Sequence, residues 1–110
     1  MGKAEYWQRG ETLDYKNTGT ATIEANTVVI FGSRIGVAGT DIMPGEVGSL
    51  HVAGVFEMPK TASVAIDMGT DVYFDGNGIT DTEGDDTVPA GYAAQAAAAG
   101  DTIILVKLAG

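Results

Sequence analysis

One phrase occurs twice in this chain. Gly36-Val37-Ala38, six residues and Gly45-Glu46 return as Gly91-Tyr92-Ala93, six residues and Gly100-Asp101, and each copy runs on into an apolar segment, Val47 to Val55 in the first and Ile103 to Leu108 in the second. Upstream, Val28-Val29-Ile30-Phe31-Gly32 is echoed by Asp71-Val72-Tyr73-Phe74-Asp75. The shared unit reads strand, turn, strand, Gly-rich bend, strand. A repeat built from apolar residues and turn glycines dictates a backbone path and carries no chemistry. It predicts two similar β modules, module one over about residues 27–57 and module two over about residues 71–108. The second is twelve residues longer between its echoed strand and its echoed glycine, and the excess is a polar, acidic excursion over residues 75–88.

The rest of the chain carries the same kind of signal. Thr12-Leu13-Asp14-Tyr15 and Thr20 to Glu24 alternate apolar and polar, the period of a strand with one buried face. Thr27 to Phe31 is β-branched and suits a strand covered on both faces, and Gly32-Ser33 returns it as Arg34 to Ala38 in a hairpin. After the Pro44-Gly45 bend, Val47 to Phe56 reads as one long extended segment with bulges or kinks at Gly48 and Gly54, ended by Met58-Pro59. Thr61 to Met68 fits neither the helical nor the strand period and is expected as a short helix or turn. Asn77-Gly78 is a hairpin turn. Ala90 to Ala99 has helix-favouring composition, but its counterpart Val37 to Pro44 holds Gly39 and Pro44, so the repeat predicts a strand for Gly91 to Ala97. Thr102 to Leu108 is the clearest strand. The expected fold is all-β, a small β-barrel or compact β-sandwich of about eight short strands with at most one short helix. Residues 1–10 form an N-terminal arm and residues 11–110 a single β domain.

Composition narrows the function. A chain of 110 residues has room for one core, and 16 glycines among short apolar runs imply many turns. Six Lys and Arg against fifteen Asp and Glu give a formal charge of -9, which repels phosphate backbones and anionic lipid, so neither a direct nucleic-acid partner nor a membrane partner is expected. Cysteine is absent, which removes disulfides, thiolate nucleophiles and Cys-bound zinc. Met1 to Trp7 lacks the apolar core of a signal peptide, and no run approaches the roughly 18 residues of a membrane helix.

Residues able to do chemistry do not assemble into a pattern. His51 is the only histidine and sits between Leu50 and Val52, pointing to the face opposite both; without a second His, Cys or Ser at suitable spacing it makes neither triad nor zinc set. Asp71, Asp75, Asn77, Asp81, Glu83, Asp85 and Asp86 are the best metal candidates, but placing Gly78 at position six of a calcium loop puts Tyr73 where a carboxylate is required. Glu57 is explained as a partner for Lys60 or Arg34. The Gly-Lys-Ser/Thr of a phosphate-binding loop is missing. No catalytic residue, cofactor or metal site is expected.

The order and spacing of these signals resemble a family. Tyr6, Gly10-Glu11-Thr12-Leu13-Asp14-Tyr15, then Gly45-Glu46-Val47-Gly48-Ser49-Leu50-His51-Val52-Ala53-Gly54-Val55-Phe56-Glu57-Met58-Pro59-Lys60, Ile66, Gly69-Thr70-Asp71-Val72-Tyr73-Phe74-Asp75, Gly91-Tyr92-Ala93 and Gly100-Asp101 with Ile103 to Leu108 are similar to the DUF2190 family of small phage and prophage proteins. The resemblance implies a virion structural protein, a capsid decoration or cement subunit on the outside of an assembled head. Its partner would be the major capsid protein, and it would occur in the virion and, during assembly, in the host cytoplasm. A small acidic β scaffold with an ordered arm fits a homo-oligomer, trimer favoured over dimer. Tyr6 and Trp7 of the arm are then the expected capsid or subunit contacts. Some catalogues label the family a RecA/RadA-type phage recombinase, which the missing phosphate-binding loop and the acidic charge oppose. A calcium- or carbohydrate-binding β module is the other alternative.

Overall fold

The computed structural model describes residues 2–5 and 10–108. Among them are nine strands and no helix: β1 (Thr12–Lys16), β2 (Val28–Phe31), β3 (Arg34–Ala38), β4 (Val47–His51), β5 (Val55–Pro59), β6 (Asp71–Phe74), β7 (Ile79–Thr80), β8 (Val88–Ala93) and β9 (Ile103–Leu108). They form two antiparallel sheets, ordered β1-β4-β3-β2 and β5-β9-β8-β6-β7. Apart from β7 the two orders are the same, with β1, β2, β3 and β4 corresponding to β5, β6, β8 and β9. The all-β expectation holds; the matching sets of strands run from Thr12 to His51 and from Val55 to Leu108, rather than over residues 27–57 and 71–108, and β7 belongs to the acidic excursion.

The correspondence extends to single hydrogen bonds. In the first sheet the amides of Ile23 and Ile42 each donate to the other's carbonyl, and in the second those of Ile66 and Ala97 do the same. The Asn26 amide donates to Ala38 and the Ala38 amide to Thr27; Gly69, Ala93 and Thr70 repeat the pattern. Glu46 Oε1 accepts from the Met43 amide at 3.2 Å, and Asp101 Oδ2 from the Ala98 amide at 2.8 Å. Asn26 and its counterpart Gly69 both turn the chain with positive φ, 71° and 88°, which Gly adopts freely and Asn tolerates.

Each sheet buries one side beneath its own loops. In the first, Val29, Ala38, Leu50 and Val52 lie under Ile23 and Ile42; in the second, Met58, Val72, Phe74, Ala93, Ile104, Val106 and Leu108 lie with Ile66 and Ala97. Burying a Leu, Ile or Val side chain contributes about 1.5–3 kcal/mol. The loops hold their places through the only two buried polar residues among those described, Asn17 and Lys60, each just after its sheet's first strand. Asn17 Nδ2 donates to the carbonyls of Ala21 at 2.8 Å and Ile42 at 2.9 Å. Lys60 Nζ donates to those of Ala62 at 2.7 Å and Ala99 at 3.4 Å.

Thr61 to Met68, expected as a short helix or turn, is not helical: the Thr61 and Ala62 amides both donate to the Ile79 carbonyl, and Ile66 bridges to Ala97. Three expectations are corrected. Thr20 to Glu24 is no strand and contributes only the Ile23 bridge to Ile42. The long segment Val47 to Phe56 is two strands on different sheets, broken where Gly54 turns with φ 111°. Gly48 forms no bulge and pairs in register with Tyr15. It is glycine because the Ile42 side chain lies over it: a Cβ there would come within 2.7 Å of Ile42 Cδ1. In the second sheet the sizes are exchanged, Ala97 replacing Ile42 and Ile104 replacing Gly48. Ile42→Ala should cost about 2–5 kcal/mol as a cavity, and Gly48→Ile should also destabilise, by overpacking. The double variant should be at least about 1 kcal/mol more stable than the sum of the singles in urea melts; simple additivity would separate the two positions.

Candidate interaction surface

Antiparallel register fixes which side chains share a side of the second sheet. Opposite its buried side, Val55 pairs with Lys107 and Lys107 with Tyr92, Tyr92 pairs with Asp71, and Glu57 pairs with Leu105. Tyr73 and Ile103 alternate onto the same side. The outward side is thus an apolar and aromatic field, Val55, Ile103, Leu105, Tyr92 and Tyr73, crossed by Glu57, Asp71 and Lys107. Val55 and Ile103 are exposed over half their surface, 54% and 51%. A groove of about 230 Å³ is lined by Glu57, Ala96, Asp101, Ile103 and Leu105. Partial burial, then the negative charges of Glu83 and Asp71, raise the Tyr73 phenol above its ordinary value, so it remains a neutral donor.

The residues singled out in the sequence are dispersed. Tyr6 and Trp7 lie outside the described residues. His51 does face away from Leu50 and Val52; its half-buried ring packs on Phe56 at a centroid distance of 5.9 Å, where the two sheets meet. Glu57 is on the outward side of β5, while Lys60, proposed as its partner, gives its ammonium to backbone carbonyls. In the excursion, no three His, Cys, Asp or Glu side chains among the described residues stand close enough to share a metal ion.

Asp75 has a structural task. It accepts from the Thr61 hydroxyl at 2.6 Å and from the amides of Asn77 at 2.9 Å and Gly78 at 2.8 Å, and its own amide donates to the Gly78 carbonyl, closing the β6–β7 turn at the expected Asn77-Gly78. Partial burial pushes its carboxyl up, but the Thr61 hydroxyl and the backbone amides together outweigh it and hold the pKa below the ordinary value.

Sequence reasoning missed the outward face of β9. The uninterrupted run Ile103-Ile104-Leu105-Val106 was the available signal, because a strand with one solvated face should alternate.

A lowered folded pKa means that the unfolded chain binds the proton more readily, so the stabilisation by Asp75 is present above about pH 4 and fades as pH falls through the folded value. Asp75→Ala should cost about 1 kcal/mol at neutral pH, less than a buried charged bond because the turn is open to water. In melts from pH 7 to pH 2 the gap between the two proteins should close below about pH 4; a gap independent of pH would show that the carboxylate charge plays no part.

Residues 7–108 match the family model described as phage cement protein, and the chain belongs to that family. No curated protein and no solved structure shows significant similarity to it.

Proposed function

We propose, from membership of the phage cement protein family, that this chain is a non-enzymatic capsid decoration subunit that binds the outside of an assembled phage head. The single observation that carries this reading is the family match over residues 7–108. The physical chemistry supports it. The molecule is flat, 41 × 41 × 24 Å, a shape suited to covering a surface. Its outward sheet face offers apolar contact area for a neighbouring protein, and a formal charge of -9 opposes unspecific aggregation. The partner is the major capsid protein, the location is the virion after assembly in the host cytoplasm, and the working unit is a homo-oligomer, a trimer in preference to a dimer, placed at a symmetry axis of the shell. The arm of residues 1–10 reaches the shell or a neighbouring subunit through Tyr6 and Trp7.

Co-sedimentation with purified, undecorated heads of the cognate phage tests this. The protein should pellet with the heads up to a fixed number of copies per head, and failure to pellet would overturn the reading. Removing residues 1–9 should abolish pelleting while circular dichroism and the melting temperature stay unchanged; full retention of binding would exclude the arm as the contact.

A further inference from the structure

The two sheets are stacked front to back. The outward side of the first sheet, through Val28, Ile35 and Val37, joins the same core as Met58, Ala93 and Val106 on the inner side of the second. His51, from the same outward side, meets Phe56 of that inner side. A front-to-back stack uses two different surfaces. Because the strand orders match, each sheet also possesses the surface that the other one uses.

The unused surfaces can be found by correspondence. On the outward side of the second sheet Tyr92 stands where Val37 stands in the first, Tyr73 where Ile30 stands and Asp71 where Val28 stands. Val37 is 3% exposed, whereas Tyr92 is 43% exposed; Ile30, at 45%, lies beyond the stack, so the matching surface centres on Tyr92 and Asp71. On the inner side of the first sheet, Phe31 and Tyr15 are half-buried while their counterparts Phe74 and Met58 are buried, and Leu13, the counterpart of Phe56, is 37% exposed. One molecule therefore leaves one surface of each kind without a sheet against it.

We propose that these two surfaces meet between copies of the chain, the outward side of the second sheet of one copy, with Tyr92 and Asp71, resting on the inner side of the first sheet of the next, with Leu13 and Phe31. The contact continues the interface already present inside each molecule. Beside Lys107, the acidic groups on one surface and Arg34 on the other are of opposite sign. Asp71 lies directly opposite Tyr92 in the β6–β8 pairing, and Glu83 acts on Tyr73. Arg34 is exposed and lies opposite Phe31 in the β2–β3 pairing, so it shares the side of Leu13 and Phe31. A contact between unlike surfaces is heterologous and closes into a ring when its rotation permits. The proposal rests on the oligomeric part of the functional reading and names its interface.

Mass measurement on the protein alone, by light scattering and sedimentation, tests this without heads, so failure to bind heads and failure of this contact are separable. The wild-type protein should associate. Tyr92→Asp and Leu13→Asp should each be monomeric alone, because every copy lacks one of the two surfaces. An equimolar mixture should form heterodimers that grow no further, since each variant retains the surface that the other lacks. Should Leu13→Asp fail to melt like wild type, Arg34→Glu and Asp71→Arg replace the test: each alone should associate at least tenfold more weakly, and the double variant carrying both should restore wild-type assembly. A monomeric wild type, wild-type association by Tyr92→Asp alone, or a mixture that stays monomeric would overturn the contact.

Discussion

Everything in this molecule depends on covering one side of each sheet with a loop. A helix satisfies its own backbone when it covers a sheet, whereas a loop brings polar groups that need partners. Here each sheet adds one buried donor to the backbone bridge that ties its loop down, Ile23 with Ile42 and Ile66 with Ala97. Asn17 takes the carbonyls of Ala21 and Ile42, and Lys60 takes those of Ala62 and Ala99, each donor standing at the end of the strand that opens its sheet. Each such hydrogen bond contributes a net of about 0.5–1.5 kcal/mol, and together with the bridges they keep Ile42 and Ile66 over the strands beneath.

Much of the architecture was legible because strand physics is written in short periods. Alternation in Thr12 to Tyr15, the hairpin at Gly32-Ser33 and the turn at Asn77-Gly78 each place an element within a few residues of where it lies. The repeat also steered Gly91 to Ala97 away from helix: β8 covers Val88–Ala93, and Ala97 ends in the bridge to Ile66. The failures have physical causes. Nothing at Val52 to Gly54 punctuates the chain except one glycine, so the passage from one sheet to the other looked like a kink. Thr61 to Met68 showed no period because separate bonds to Ile79 and Ala97, rather than an element, position it. Asn17 and Lys60 are ordinary polar residues in sequence, and only their equivalent places in two superimposable sheets reveal a shared task. The outward face of the second sheet escaped notice because its residues are read as strand either way.

Front-to-back stacking explains why two sheets of one design carry different residues. The first sheet needs a dry outward side near β2 and β3, hence Val28, Ile35 and Val37. The second keeps Asp71 and Tyr92 at corresponding points, residues able to face either water or a partner. The acidic excursion also belongs to the second sheet and adds β7 beyond β6, so the molecule's asymmetry is concentrated in one of its halves.

The exchanged sizes at Ile42 over Gly48 and Ala97 beside Ile104 make the two halves non-interchangeable at this point. One half commits its bulk to the loop and the other to the strand, so neither can take a single residue from its counterpart without a clash or a void. A graft between the halves succeeds only when loop and strand are moved together, which makes the covered sheet, and not the residue, the smallest unit that can be exchanged.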